Sequence, residues 1–455
     1  MPSVTVPGIG QNHVTVPITN SDVSYVVAQQ IASSLASIWP ANLQVESISG
    51  GGSPPSFGPS TVPGELLITG TSGGNLSTTS EYDYVVNVNS GQMTIGASNQ
   101  EILSGTGGGV FFDSGNATVA AGGGSNFVVI NPTGQFDASA RFMAATGGGD
   151  DTIWASGSGT MAGSGGANAL VDGNTTAGSQ EYIISNGADT VAAGAGADTV
   201  GAYGSSLLVF GNSGDLVVGG AAANETVAGG AGNSTIFGAT NGLYFEGSGQ
   251  NIFINAGGSD TIMASPAPGS DTVFGGTGQN LIFGSDGSLE FVGGTGSSTI
   301  IGGTSTTTIW GSSGSSVTFF GNDGSGILAA GAGNETLNAG GSSKGLAMVA
   351  GFGADSLVAG SGDDTLFGGT GSATMTGGAG NDLFAFGNGM GGSNVITDFQ
   401  SNDLVVLNGY GANEVNQALA TATVNAGSTT VTLSDNTKIT FANVTNLNAS
   451  NFHSS

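Results

Sequence analysis

Aspartates set into glycine turns are the residues of this chain best equipped for chemistry. The fullest examples are Gly360-Ser361-Gly362-Asp363-Asp364-Thr365-Leu366-Phe367 and Gly377-Gly378-Ala379-Gly380-Asn381-Asp382-Leu383-Phe384. Asp364 and Asp382 stand 18 residues apart, as do Asp363 and Asn381. Carboxylates set among backbone carbonyls suit a hard, oxygen-seeking cation, Ca2+ above all. The charge balance points the same way. The formal net charge is −28, and the basic side chains are Arg141, Lys344 and Lys438 alone. With so few cationic partners, the carboxylates must be solvated, mutually repelling or bound to metal. The same shortage argues against binding nucleic acid or an anionic membrane surface.

Weaker candidates carry one or two acids in a less complete turn: Asp150 and Asp151 in Gly147-Gly148-Gly149-Asp150-Asp151, then Asp189, Asp198, Asp215, Asp260, Asp271 and Asp355. Other turns depart further. Gly229-Gly230-Ala231-Gly232-Asn233-Ser234 and Gly275-Gly276-Thr277-Gly278-Gln279-Asn280 place amide or hydroxyl side chains where an aspartate would stand. So does Gly293-Gly294-Thr295-Gly296-Ser297-Ser298. Such side chains hydrogen-bond their own backbone in turns, so these copies are expected to bind a cation weakly or not at all.

The elements that position these turns are short apolar triplets. Thr235-Ile236-Phe237, Asn251-Ile252-Phe253, Thr272-Val273-Phe274, Thr308-Ile309-Trp310 and Thr365-Leu366-Phe367 are typical, with neighbouring central residues mostly about nine apart. A unit with three extended residues and a glycine turn cannot be a helix. It is also too short to bury a face alone, so it must stack on copies of itself. Two units make one coil of about 18 residues with a short strand on each side, and stacked coils form two parallel sheets. The central residue points inward. The flanking threonines and aromatics (Trp154, Phe237, Phe274, Phe283, Trp310, Phe319 and Phe367) are expected to point outward or into the corners. The 87 glycines, without a three-residue period, serve this turn-rich repeat rather than a collagen-like helix.

At this point the sequence resembles the RTX nonapeptide, Gly-Gly-x-Gly-x-Asp-x-apolar-x. The resemblance implies an all-β fold, a right-handed parallel β-roll or β-solenoid with Ca2+ in its turns. In that family the ligands are turn carbonyls and motif aspartates shared between adjacent coils. Carried over, this names Gly360, Gly362, Asp363, Asp364, Gly378, Gly380, Asn381 and Asp382 as the foremost site. Asp150, Asp151, Asp189, Asp198, Asp271 and Asp355 follow.

Three regions separate by texture. Residues 1–60 hold two short strands around Val4-Thr5-Val6 and Val14-Thr15-Val16. A helix follows with an apolar stripe of Val23, Val27, Ile31, Leu35 and Ile38. Ser21 or Asp22 is the expected cap, Pro40 the expected stop, and residues 50–63 read as a linker. Residues 61–390 are the solenoid. Residues 391–455 form a β-rich cap, with Val395-Ile396-Thr397-Asp398-Phe399, a helix over 415–422, and a hairpin pairing Val431-Thr432-Leu433 with Ile439-Thr440-Phe441. A segment of this kind commonly follows the last RTX unit, so the resemblance extends to a C-terminal type I secretion signal.

The first residues show no basic segment or apolar run of the Sec type, and no stretch reaches the length of a membrane span. The expectation is therefore export through type I machinery, an extracellular or cell-surface location, and no membrane insertion. Absent cysteine excludes disulfides and thiolate metal sites. The two histidines, His13 and His453, lie near opposite ends, and no nucleophile elbow, phosphate loop or His-Glu-x-x-His is present. An enzyme is not expected; a glycan-cleaving site built from carboxylates alone is the remaining enzymatic option. The plan also resembles RTX-bearing bacterial surface-layer proteins, which implies a chain that folds with Ca2+ and polymerises with itself into a layer, filament or matrix. Residues 1–60 would then dock on a neighbour or on cell-surface polysaccharide. The alternative is a monomeric adhesin, binding glycan or ice along a threonine or aromatic face.

Overall fold

The computed structural model describes residues 2–18, 23–39, 41–48, 64–69, 75–77, 83–88, 93–96, 101–131, 141–175, 178–204, 206–212, 214–219, 224–255, 257–266, 269–314 and 316–454. The expected helix cap at Ser21 or Asp22, the stop at Pro40 and the linker at 50–63 lie outside these residues. The chain divides into two units, Met1–Ser234 and Thr235–Ser455. Both contain a parallel β-solenoid: in its regular coils each strand pairs with the next strand but one, so successive strands alternate between two sheets.

In unit one the repeat is seen in Thr152–Ala155, whose Ile153 lies beside Leu170 of the parallel strand Ala169–Asp172. On the other sheet Met161, Ile183, Val200 and Val217 follow one another in register. Each is almost wholly buried. The parallel ladder already includes Leu43–Ile48, paired with Gly64–Thr69.

Ahead of it stand an antiparallel hairpin of Ser3–Pro7 and His13–Pro17, with Val4 opposite Val16, and the helix Val23–Ile38. The helix buries Val27, Ile31 and Leu35 of the expected stripe, together with Ala28 and Ala32. They pack on Leu103, Ala120, Ala145 and Ala162 of the solenoid sheet. Small residues on the strands let the helix approach the sheet closely. Its apolar face is thus spent within its own unit rather than held out for a neighbour.

Unit two has the more regular core. One sheet stacks Ile236, Phe253, Val273, Phe291, Ile309, Leu328, Met348, Leu366, Phe384 and Val405, each beside the next in the parallel register. The other runs from Tyr244 through Ile262, Ile282 and Ile300 to Phe319, Leu337, Leu357, Met375 and Ile396. Burying each such side chain stabilises the stack by about 1.5–3 kcal/mol.

Two sequence expectations are corrected here. Phe319 is a core residue, and Phe320 turns outward instead; Phe253 fills the core while Ile252 is exposed. A shift of one residue exchanges the two faces of a strand, and the side is set by the register partner, Ile300 or Ile236, not by the local triplet.

Unit two ends in a cap. The helix Glu414–Ala420 precedes a hairpin in which Val431 faces Ile439. The hairpin strand Lys438–Phe441 adds in parallel to Ser393–Ile396, and Phe452–Ser454 adds to Leu404–Asn408. Among the described residues no helix is long and apolar enough to cross a membrane.

Candidate metal centres

The 18-residue spacing places the foremost candidates on one edge of consecutive coils. Asp364 and Asp382 are both buried, and Asp382 Oδ1 accepts the Asp364 N–H at 3.0 Å. The ladder continues upward, with Asp403 Oδ1 accepting the Asp382 N–H at 3.1 Å. It continues downward, with Asp364 Oδ1 accepting the Leu346 N–H at 2.7 Å. Asp363 and Asn381 also meet, on the exposed side of the same turns, where Asp363 Oδ1 accepts both the backbone and side-chain N–H groups of Asn381. Gly378 and Gly380 adopt φ of +94° and +128°. A Cβ on them would lie 1.9 Å from the Gly360 carbonyl oxygen and 2.2 Å from that of Gly362. Only glycine lets these turns stack so closely.

The electrostatics of this column are those of an anion stack without internal cations. Burial pushes the Asp382 carboxyl up to about 6, and repulsion from Asp403, Asp364 and Asp398 adds to it. Asp364 and Asp403 are raised as well, chiefly by burial. One oxygen, Asp382 Oδ2, is buried without a hydrogen-bond partner. Such an atom is costly unless a cation or proton meets it. The donor set of carboxylates and turn carbonyls therefore fits Ca2+.

At the upper end the pattern changes. Gln400 Nε2 donates to the Gly378 carbonyl at 2.7 Å and Asn402 Nδ2 donates to that of Gly380. Amide donors take up carbonyls of the last glycine turn.

The weaker candidates sort into two kinds. In the first, amides accompany the acids. Asp151 Oδ1 accepts from the backbone and side chain of Asn126, and the Asp151 N–H donates to Asn168 Oδ1. Asp189 in turn accepts from Asn168 at 2.9 and 2.8 Å. Alternating Asn with Asp halves the charge and supplies N–H donors, although Asp151 Oδ2 remains without a partner. Asp150, exposed, accepts the Ala167 N–H. Asp271 accepts from the Asn251 amide and from the N–H and hydroxyl of Ser265. Asp355 instead stands beside an acid, accepting the Glu335 N–H as well as that of Gly351.

In the second kind acid follows acid. The Glu181 N–H meets Asp198 Oδ1, and the Asp198 N–H meets Asp215 Oδ1, each at 3.3 Å. Asp260 is buried with both oxygens lacking partners, and burial raises it to about 6.

Sequence reasoning missed Glu181, Glu335, Asp172 and Asp403. Glu181-Tyr182-Ile183 and Glu335-Thr336-Leu337 repeat the acid-x-apolar pattern of Asp364-Thr365-Leu366 with one more methylene. An expectation restricted to aspartate passes over them. Burial, then the adjacent Asp355, raises Glu335 to about 7.

Comparison with known families agrees with this geometry. The family model of the RTX calcium-binding nonapeptide repeat (4 copies) matches residues 184–202, 219–240, 267–288, 290–317 and 349–384. The last span holds Asp355, Asp363, Asp364 and Asp382, while Asp150 and Asp151 fall outside the matched residues although Asp151 sits in the same structural place. No curated protein matches the chain. With the nonapeptides matched, their strands paired in parallel and their acids stacked on the coil edges, the chain is a carrier of RTX calcium-binding repeats, wound as a β-solenoid that binds Ca2+.

Proposed function

We propose that this extracellular calcium-binding repeat protein is structural: Ca2+ folds the solenoid, and the folded solenoid assembles with copies of itself into a layer, filament or matrix. Asp364 and Asp382, with the turn carbonyls of Gly360, Gly362, Gly378 and Gly380, would hold the best-formed site, and Asp363 and Asn381 would flank it. Asp151, Asp189, Asp198, Asp271 and Asp355 would serve lesser sites, with Asp150 beside Asp151. Bound there, Ca2+ neutralises carboxylates that otherwise repel along the stack. Where free Ca2+ is scarce the solenoid loses that stabilisation, which favours export of the chain before it folds.

The observation that carries self-assembly is a row of outward apolar side chains on one sheet of unit two. Phe274, Val292, Trp310, Ala329, Val349 and Phe367 lie next to one another in register. Phe274, Trp310 and Phe367 are exposed by 39%, 44% and 36%. Apolar rows of this length on a flat face favour protein–protein contact. Electron microscopy of the purified protein with and without Ca2+ tests the reading. Ordered sheets or fibres that require Ca2+, and that Trp310→Ser disperses, are expected. Folded but dispersed particles at high concentration in Ca2+ would overturn self-assembly and favour the adhesin.

A further inference from the structure

A second kind of cation site is built in unit one, where Asp198 of the turn Gly194-Ala195-Gly196-Ala197-Asp198 meets two acids that lie outside the matched repeats. Asp172 ends the strand Ala169–Asp172, Glu181 begins Glu181–Ser185, and Asp198 immediately precedes Thr199–Ala202. All three are buried, and an oxygen of each lies within 4.8 Å of the others. Their exposures are 6%, 1% and 1%.

Each carboxylate has one oxygen tied down and the other free. Asn174 Nδ2 donates to Asp172 Oδ1 and to Glu181 Oε1. The amide itself is fixed by the Gly157 N–H and carbonyl, at 2.9 and 3.0 Å. Asp198 Oδ1 accepts the Glu181 N–H. That leaves Asp172 Oδ2, Glu181 Oε2 and Asp198 Oδ2 buried without hydrogen-bond partners. The nearby Gly194 N–H offsets only part of the desolvation of the two aspartates. Arg141, the one basic residue of unit one, is solvent-exposed. Asp172 and Glu181 lie close enough to share a proton, and in place of that proton a single cation would meet all three buried carboxylates.

The surroundings depart from the repeat. Gly159 pairs with Glu181, 22 residues on, whereas Tyr182 pairs with Thr199, 17 on. The coil is longer here, a glutamate stands where the motif has aspartate, and the family match begins only at residue 184.

We infer that Asp172, Glu181 and Asp198 form an enclosed site for one hard divalent cation, Ca2+, bound by side chains from the end of Ala169–Asp172 and from the starts of Glu181–Ser185 and Thr199–Ala202, and oriented by Asn174. The inference shares the calcium chemistry of the proposed function but not its assembly. The ion fastens the longer loop to the coils on either side of it.

Trp154 makes the site addressable. Its indole lies over Gly173, where an added Cβ would come within 2.4 Å of the ring, so it sits one residue from Asp172. The full chain is loaded with Tb3+ and excited through tryptophan, and Ca2+ stoichiometry is measured by equilibrium dialysis. The double variant Asp172→Asn with Glu181→Gln, which keeps side-chain shape, is expected to bind one Ca2+ fewer. It should also lose the Tb3+ emission that Trp154→Phe removes. Asp382→Asn should lower Ca2+ binding while leaving that emission intact, which separates this site from the turn sites. Unchanged stoichiometry and emission in the double variant overturn the site. If circular dichroism shows the double variant unfolded, Glu181→Gln alone is read against the same two outcomes.

Discussion

Replacing Asp382 by asparagine should change stability in opposite directions with and without Ca2+. Asparagine keeps the oxygen that accepts the Asp364 N–H at 3.0 Å, so the ladder is not broken. What changes is Oδ2, the buried oxygen without a partner. Without metal at neutral pH it carries charge, and leaving such an acceptor unsatisfied costs about 1–3 kcal/mol. An amide there removes the charge, so the metal-free variant should gain about 1–2 kcal/mol. With Ca2+ at a hundred times its dissociation constant, wild type gains about 2.7 kcal/mol from the bound ion. The variant forfeits that gain at this site and should fall below wild type. Denaturant unfolding in chelator and in excess Ca2+ reads both signs, and Asp382→Ala is the control. Alanine strands the Asp364 N–H and should destabilise under both conditions. Equal destabilisation by asparagine with and without Ca2+ would refute cation binding at Asp382.

Two further outcomes follow from the buried acids and the glycine turns. Asp382, Asp260 and Glu335 titrate in the folded protein near 6, 6 and 7, against ordinary values of 3.8, 3.8 and 4.5. The folded state therefore binds protons more tightly than the unfolded state. Its contribution is complete below the ordinary values and is lost as pH rises through 6 to 7. Metal-free protein should accordingly gain stability on acidification from neutral pH to about 5, measured by melting in chelator; a steady loss over that range would count against the buried acids. Gly380→Ala should destabilise the protein by more than about 1–2 kcal/mol, because φ is +128° and the new Cβ would strike the Gly362 carbonyl. An unchanged melting temperature would show that the turn does not stack as described.

The fold was legible because its determinants are local and repeated. A triplet such as Thr365-Leu366-Phe367, a glycine turn and an acid recur at one spacing, and each copy votes for the same coil. The partnership of Asp364 with Asp382 followed from that spacing, and the cap hairpin around Val431 and Ile439 from its own pair of short apolar runs. What escaped depends on register or on distant chain. Phe319 and Ile252 were placed on the wrong sides because only the neighbouring coil decides which of two adjacent apolar residues faces in. The docking of the N-terminal helix on Ala120, Ala145 and Ala162 has no local signature, since alanine in a strand reads merely as weak. The cluster of Asp172, Glu181 and Asp198 was hidden by a longer loop that breaks the count of residues between acids.

The amides of Gln400 and Asn402 give the stack a direction. Wherever one glycine turn follows another, its carbonyls are offered to the next coil; at the top of unit two they are already taken by neutral donors. The last rung therefore meets side-chain amides in place of a further glycine turn. The strand beyond the hairpin, Thr423–Asn425, is three residues long and runs antiparallel to its neighbour. A second molecule arriving there would find neither a glycine turn to match its own nor a parallel template of useful length. Unit two thus resembles a growing polymer quenched by its own end group, and any lattice built from it has to knit through its sides.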